Sequence, residues 1–261
     1  MTQSLDAYHA LVCGASAGIG RAAAISIARR GAAVTVLARS RRKLEELLPV
    51  LREAGAREAR FLVADHDNRP ALAETVRAFL KDNGPVHVLV NNSGGPPGGP
   101  ILDAGDEDFL TAFGRHLLAN HLLVKLVLPG MREAGWGRIV NIISMTVREP
   151  IVGLGVSNTV RGAVASWAKT LSLELPPGIT INNVLPGYAD TERLAALKES
   201  IAARTGVSEA EVERAWIASV PEERLGRPEE LGAAVAFLAS PEASFVRGVS
   251  LLVDGGRTRG I

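Results

Sequence analysis

Cysteine is almost missing from this chain of 261 residues. Cys13 is the only one, which excludes an internal disulfide and a cysteine-based zinc site. Aromatic side chains make up 4% of the residues, and only two of them, Tyr8 and Tyr188, are tyrosines. Excess charge is missing too: 29 basic residues face 28 acidic ones, for a formal net charge of +1. Such a balance carries no electrostatic footprint for nucleic acid and no attraction to an anionic membrane. No apolar run approaches the roughly 18 residues of a membrane span. The longest candidate, 117–128, is interrupted by Asn120, His121 and Lys125. The first residues, Met1 to Asp6, lack the basic and apolar regions of a secretion signal. These absences point to a cytoplasmic enzyme or binding protein, with no membrane and no nucleic-acid partner. What the chain does have is 47% hydrophobic residues, enough for one well-filled core. One large α/β domain over 1–261 fits that length better than two.

Short apolar runs alternate with helical patterns along nearly the whole chain. Strands are expected at Ala10–Cys13, Val34–Ala38, Phe61–Ala64, Val86–Val90, Arg138–Ile143, Ile179–Val184 and Val249–Val253. Helices are expected at Arg21–Arg30, at Ser40 to about Ala54 with a bend at Pro49, and after the capping Asn68. A long one follows over about Glu107–Met131, then Ser157–Leu175 and Pro228–Leu238. Strands apolar on both faces, alternating with helices, imply a parallel sheet covered on both sides. Right-handed crossovers then give a three-layer, doubly wound Rossmann fold of seven strands, in the order 3-2-1-4-5-6-7. One helical-looking segment, about 189–220, breaks the alternation and lies where a lid over a site would sit.

Directly after the first strand stands Gly14-Ala15-Ser16-Ala17-Gly18-Ile19-Gly20, followed by a helix. Glycines there allow a tight turn and close approach of the backbone to a pyrophosphate, at a helix N-terminus that favours anions. The second strand ends in Ala38-Arg39-Ser40-Arg41-Arg42. No acid is present to bond a ribose 2′-hydroxyl, and Arg39 is placed to meet a 2′-phosphate, which favours NADP over NAD. Asp65-His66 follows the third strand, near where an adenine would lie, although Asp65 also suits a helix cap. Asn91-Asn92-Ser93-Gly94 follows the fourth, at the carboxyl end of a central strand where ligands bind in such sheets.

Taken together these motifs resemble the short-chain dehydrogenase/reductase family over nearly the full chain. Pro186-Gly187-Tyr188-Ala189-Asp190-Thr191 resembles its Pro-Gly loop. Arg227-Pro228-Glu229-Glu230 and Val253-Asp254-Gly255-Gly256 resemble closing segments of bacterial 3-oxoacyl-carrier-protein reductases. The resemblance implies an NADP(H)-dependent oxidoreductase acting on a carbonyl or alcohol, with a small-molecule or acyl-thioester substrate. It implies cofactor contacts at Gly14, Ser16, Gly18, Ile19, Gly20, Arg39, Asp65, His66, Asn91, Ser93, Gly94, Arg161, Pro186, Gly187 and Thr191. The apolar faces of the helices near 107–131 and 157–175 resemble those through which the family forms homodimers and homotetramers.

The resemblance breaks at the catalytic residues. The family uses Asn, Ser, Tyr and Lys, the last two spaced as Tyr-x-x-x-Lys. Here Ser144 matches the serine, while the remaining positions hold His116, Ser157 and Arg161. Tyr8 is followed four residues later by Val12 and Tyr188 by Glu192, so the usual pair exists nowhere in the chain. A serine hydroxyl is a far weaker acid than a phenol, and an arginine stays protonated but presents several donors. Three readings follow. The chain is still a reductase, with Ser144, Ser157 and Arg161 holding the substrate oxygen and a proton coming from water or His116. Or it binds cofactor without turnover, as a regulatory or partner subunit. Or it runs other chemistry on the scaffold, as halohydrin dehalogenases do; those resemble the family and carry Arg at the lysine position, but they keep the tyrosine and lose the cofactor loop. Tyr188 is either an alternative proton donor or a packing residue.

Overall fold

The structure is a computed structural model that describes residues 4–260. Seven parallel strands form one sheet: β1 His9–Cys13, β2 Ala33–Ala38, β3 Glu58–Val63, β4 Val88–Asn91, β5 Gly137–Ile142, β6 Ile179–Pro186 and β7 Ser250–Val253. Their order is β3-β2-β1-β4-β5-β6-β7, with the chain reversing its direction of travel between β1 and β4. Strands β1, β2, β4, β5 and β6 are buried along their whole length, which is why they read as mainly apolar runs, with the buried polar residues Arg138, Asn141, Asn182 and Asn183 among the exceptions in β5 and β6.

Nine α-helices are described: α1 Gly18–Ala28, α2 Arg41–Glu53, α3 Arg69–Asn83, α4 Asp106–Phe113, α5 Ala119–Glu133, α6 Gly155–Glu174, α7 Glu192–Thr205, α8 Glu209–Ala218 and α9 Pro228–Leu238. Two large apolar clusters cover the two faces of the sheet. One joins β1, β2 and β4 to α1, α2 and α9, with Ile27, Leu44, Leu51 and Val235 at its centre. The other packs α3 and α5 through Leu72, Val76, Leu123 and Val127. No helix among the described residues is long and apolar enough to cross a membrane.

Some expected boundaries move. The first helix begins at Gly18 rather than Arg21, because the low propensity of glycine hides a start that the tight turn imposes. Strand β3 begins at Glu58; it is an edge strand, so its mixed exposure weakens the apolar pattern. Helix α2 continues through Pro49 with Leu44, Leu47 and Leu51 buried. The helix expected over about 107–131 runs as helical backbone from Asp106 to Glu133, with α4 and α5 joined through a π-helical turn at Gly114–Leu118. That turn adds a residue to the helical period and points His116 inward. The extra residue shifts the pattern within a single turn, too short a stretch for periodicity to isolate.

Candidate active site

A cavity of about 830 Å³ opens at the carboxyl ends of the central strands, beneath α7. The point where strand order reverses is the expected ligand crevice of such a sheet.

Its first end is the glycine turn. Gly14 (φ +58°) and Gly18 (φ +54°) occupy left-handed backbone, where a side chain is strained. A Cβ at Gly20 would lie 2.3 Å from the Gly14 carbonyl oxygen, so the turn closes only without one. Gly20 therefore shapes the turn from beneath, outside the cavity lining. No side chain caps α1 at Ala17, and Ala17, Gly18 and Ile19 line the cavity. Uncapped N–H groups at the positive end of a helix thus face the space a pyrophosphate would need.

The next stretch follows β2 and β3. Arg39, Ser40 and Lys43 line it. The Arg39 side chain is 75% exposed and 3.9 Å from the Asp65 carboxylate, which pins little at that separation and leaves the guanidinium free to turn toward a phosphate. Asp65 Oδ1 accepts from the Asp67 N–H at 3.0 Å, while Asn68, not Asp65, caps α3 by accepting from Ala71 N–H. His66 is buried with Nε2 unpartnered at the cavity wall. Burial pushes its pKa down to about 4, so it presents a neutral ring to whatever occupies that space. Uncapped N–H groups, a basic strand end and a free polar ring atom fit the three parts of a phosphorylated dinucleotide.

The other end holds the altered tetrad. Ser144 follows β5; its Oγ accepts from the Thr146 N–H at 3.2 Å, which leaves its O–H free to donate into the cavity it lines. Ser157, in the first turn of α6, also lines the cavity. Arg161 follows one turn later and is 9% exposed. Its Nη1 donates to the Ile142 and Ile143 carbonyls, both at 3.0 Å, so the guanidinium is bolted to the strand end that carries Ser144. Burial, and then the charge of Arg193, push its pKa down to about 10, which still leaves a cation at neutral pH.

Besides Gly20, two expected site residues stand outside the cavity lining. His116 is 3% exposed, outside the cavity lining, with Nδ1 2.8 Å from Ser93 Oγ. Burial and the neighbouring Arg161 push its pKa to about 2. At working pH it is therefore a neutral imidazole rather than a charged acid, and the geometry sets it against Ser93 rather than on the cavity wall where the expected proton source would stand. Asn91 is also withdrawn from the cavity. It donates to Asn141 Oδ1 (2.8 Å), Asn141 to Asn183 Oδ1 (2.9 Å), and Asn183 to Ser250 Oγ (3.0 Å). This relay crosses four strands in register and gives most of its buried amide groups a partner, leaving Asn91 Oδ1 without one. Its neighbour Asn92 lines the cavity instead and donates to the Gly14 carbonyl at 3.2 Å.

The remaining wall is the loop after β6. Pro186, Gly187 and Thr191 all line the cavity. A Cβ at Gly187 would meet Asp254 Cα at 2.7 Å, so the loop passes there only as glycine. Thr191 caps α7 by accepting from Leu194 N–H at 3.2 Å, and its methyl faces Gly18 across the cavity. Tyr188 stacks on Trp216 of α8, with ring centroids 5.0 Å apart and planes 17° apart. Sequence reasoning missed Arg115 and Arg193, and named Asn92 only as part of its motif. Arg115 pairs with Asp67 at 2.7 Å, and Arg193 donates to the Pro96 carbonyl at 2.6 Å; only the fold brings these partners together.

Comparison with known proteins agrees with this geometry. The family model described as "Enoyl-(Acyl carrier protein) reductase" matches residues 14–258. The chain is 34% identical over 251 residues to the short-chain reductase protein NovJ of Streptomyces niveus, covering 95% of this chain and 93% of that protein. It is 32% identical over 254 residues to a 3-oxoacyl-[acyl-carrier-protein] reductase of Vibrio cholerae, covering 97% and 98%. A crystal structure of a variant of actinorhodin polyketide ketoreductase with NADPH superposes with a TM-score of 0.91 at 36% identity, covering 99% of this chain and 100% of that one. With the strand order, the glycine turn and the Pro-Gly loop all in place, the chain belongs to the short-chain dehydrogenase/reductase family.

Proposed function

We propose that this protein is an NADP(H)-dependent oxidoreductase that interconverts a carbonyl and an alcohol, on a small molecule or an acyl thioester. The observation that carries the reading is continuity. One cavity runs from the glycine turn to Ser144, Ser157 and Arg161, so a dinucleotide held at one end brings its reactive end to the donors at the other. The uncapped start of α1 would take the pyrophosphate, and Arg39 with Lys43 a 2′-phosphate. When bound, the nicotinamide supplies or accepts the hydride.

The chain's own residues handle the oxygen. Ser144 and Ser157 donate hydrogen bonds to the substrate carbonyl, and the fixed cation of Arg161 stabilises negative charge as it develops there. Neither hydroxyl is acidic enough to be the net proton source, and His116 is neutral, so water entering the cavity supplies the proton. Losing a positioned general acid costs about 10²–10⁴ in rate; slow turnover is expected. Helices α7 and α8 form the lid, tied to α2 by Lys43 and Glu192 at 3.2 Å. A homodimer or homotetramer is expected, with exposed Leu110, Leu118 and Leu173 on the faces available for it.

A second reading, cofactor binding without turnover, is favoured by Ser157 and Arg161 standing where a phenol and a lysine do the chemistry in the family. Titration with NADPH and NADH, followed by a panel of carbonyls and alcohols, separates the two. NADPH-dependent turnover that falls in Ser144→Ala supports the enzyme. Tight NADPH binding with no turnover across the panel leaves the binding module. Absence of NADPH binding refutes both.

A further inference from the structure

Five cations line the cavity, and three of them have a carboxylate within ion-pair distance. Arg39 faces Asp65, Lys43 faces Glu192, and Arg115 faces Asp67. Arg161 and Arg193 are different. Among the described residues neither has a carboxylate within ion-pair distance; their recorded partners are backbone carbonyls. They also converge. A Cβ built at Gly95 would lie 3.4 Å from Nη2 of Arg161 and 3.4 Å from Nη2 of Arg193, with Arg193 Nε at 3.6 Å. The two guanidinium groups are therefore closer than the roughly 8 Å over which physiological salt screens charge. Two like charges are held together, one of them 9% exposed and with its Nε buried and unpartnered. Their mutual repulsion and the cost of burial both favour an anion between them.

We propose that the substrate is an oxo acid, its carboxylate clasped between Arg161 and Arg193 over Gly95. The inference rests on the oxidoreductase reading and names its substrate class. Guanidinium forks match the planar geometry of a carboxylate. Gly95 supplies the room, since any side chain there would stand where the anion must be. Arg161 also sets the spacing. Its Nη1 is fixed to the residues just before Ser144, while its Nη2 faces Gly95, so one guanidinium touches both the carbonyl side and the carboxylate side. The carboxylate therefore lies within a few bonds of the reacting carbonyl. Arg161 fixes the oxygen end and Arg193 selects the acid, a division of labour that also orients the carbonyl face.

The test uses pyruvate, acetoacetate and levulinate, each against its methyl ester, binding to the full-length protein with and without saturating NADPH. At least one acid is expected to bind tenfold or more tightly than its ester. Arg193→Ala and Gly95→Val should each abolish that preference while changing the NADPH dissociation constant less than threefold, and Arg193→Lys should keep part of it. Arg193 is an exposed residue of α7, and the Gly95 change is neutral in charge, so the two variants test the clasp by independent routes. Equal binding of acids and esters overturns the inference and leaves the oxidoreductase reading standing. A parallel loss of NADPH affinity in Arg193→Ala also overturns it, because the anion is then the cofactor's own phosphate. If NADPH does not bind at all, the oxidoreductase reading fails, and the acid–ester comparison on the unloaded protein still decides the clasp.

Discussion

Replacing Ser157 by tyrosine and Arg161 by lysine would restore the proton donor that the sequence lacks. The local structure is ready to receive both. Ser157 lines the cavity in the first turn of α6, so a larger side chain at that position has open space ahead of it. Arg161 reaches the Ile142 and Ile143 carbonyls from one turn further along, and a lysine ammonium has enough donors to keep at least one of those bonds. Reinstating a positioned general acid is worth about 10²–10⁴ in rate, or roughly 3–5 kcal/mol of barrier. The double variant should therefore raise kcat for carbonyl reduction by that factor, read as NADPH consumption under saturating substrate. Ser157→Tyr alone should gain less, because a guanidinium tied to two carbonyls is less able to settle beside a phenolate. A new inflection should appear in the pH–rate profile of the double variant; the natural chain should show none near pH 6.5, since His116 is held near 2. If the double variant folds and binds NADPH as the natural chain does, yet shows no gain, the cavity does not position a reacting carbonyl against residue 157.

Gly20→Ala forces a Cβ against the Gly14 carbonyl at 2.3 Å, so NADPH affinity should fall by about 100-fold or more, with a lower melting temperature; calorimetric titration checks it, and near-normal affinity would refute the role given to the turn. Arg39→Ala should weaken NADPH by about 10–100-fold and leave NADH unchanged, as expected if a charge-assisted bond to a 2′-phosphate is lost. Glu192→Gln frees Lys43 and should tighten NADPH by no more than about fivefold, the scale of an exposed ion pair. His9, His66 and His116 have folded-state pKa values pushed to about 4, 4 and 2. Below about pH 6.5 the unfolded chain takes up protons that the folded chain refuses, so stability falls as pH drops. His116→Asn should reduce that slope by about 1.4 kcal/mol per pH unit between pH 6 and 4 in urea unfolding, and an unchanged slope would refute its burial as a neutral ring.

The sheet and the nucleotide end of the cavity were legible in the sequence because both rest on local rules. A buried parallel strand must be apolar on both faces, and a turn that brings backbone onto a pyrophosphate must be glycine; neither depends on distant residues. The reacting end was legible only by position. Counting residues placed Ser144, Ser157 and Arg161 correctly on the cavity wall, yet it could not show what each side chain touches. His116, read from its ordinary pKa as one of two possible proton sources beside water, is buried by the π turn, and burial keeps its ring neutral. Asn91 and Asn92 are adjacent in sequence, and only the pleat decides that the first joins the amide relay inside the sheet and the second faces the cavity. Arg193 carried no signal at all, being one more charge at the start of an amphipathic helix. It became meaningful when α7 packed against the loop after β4 and set it beside Gly95 and Arg161. Local constraints thus specify where a dinucleotide goes, while the chemistry at its far end depends on contacts between residues 32 to 98 positions apart in the chain, as Arg161, Arg193 and Gly95 are. Such a cluster can lose a phenol and gain a second guanidinium without altering any motif that identifies the family.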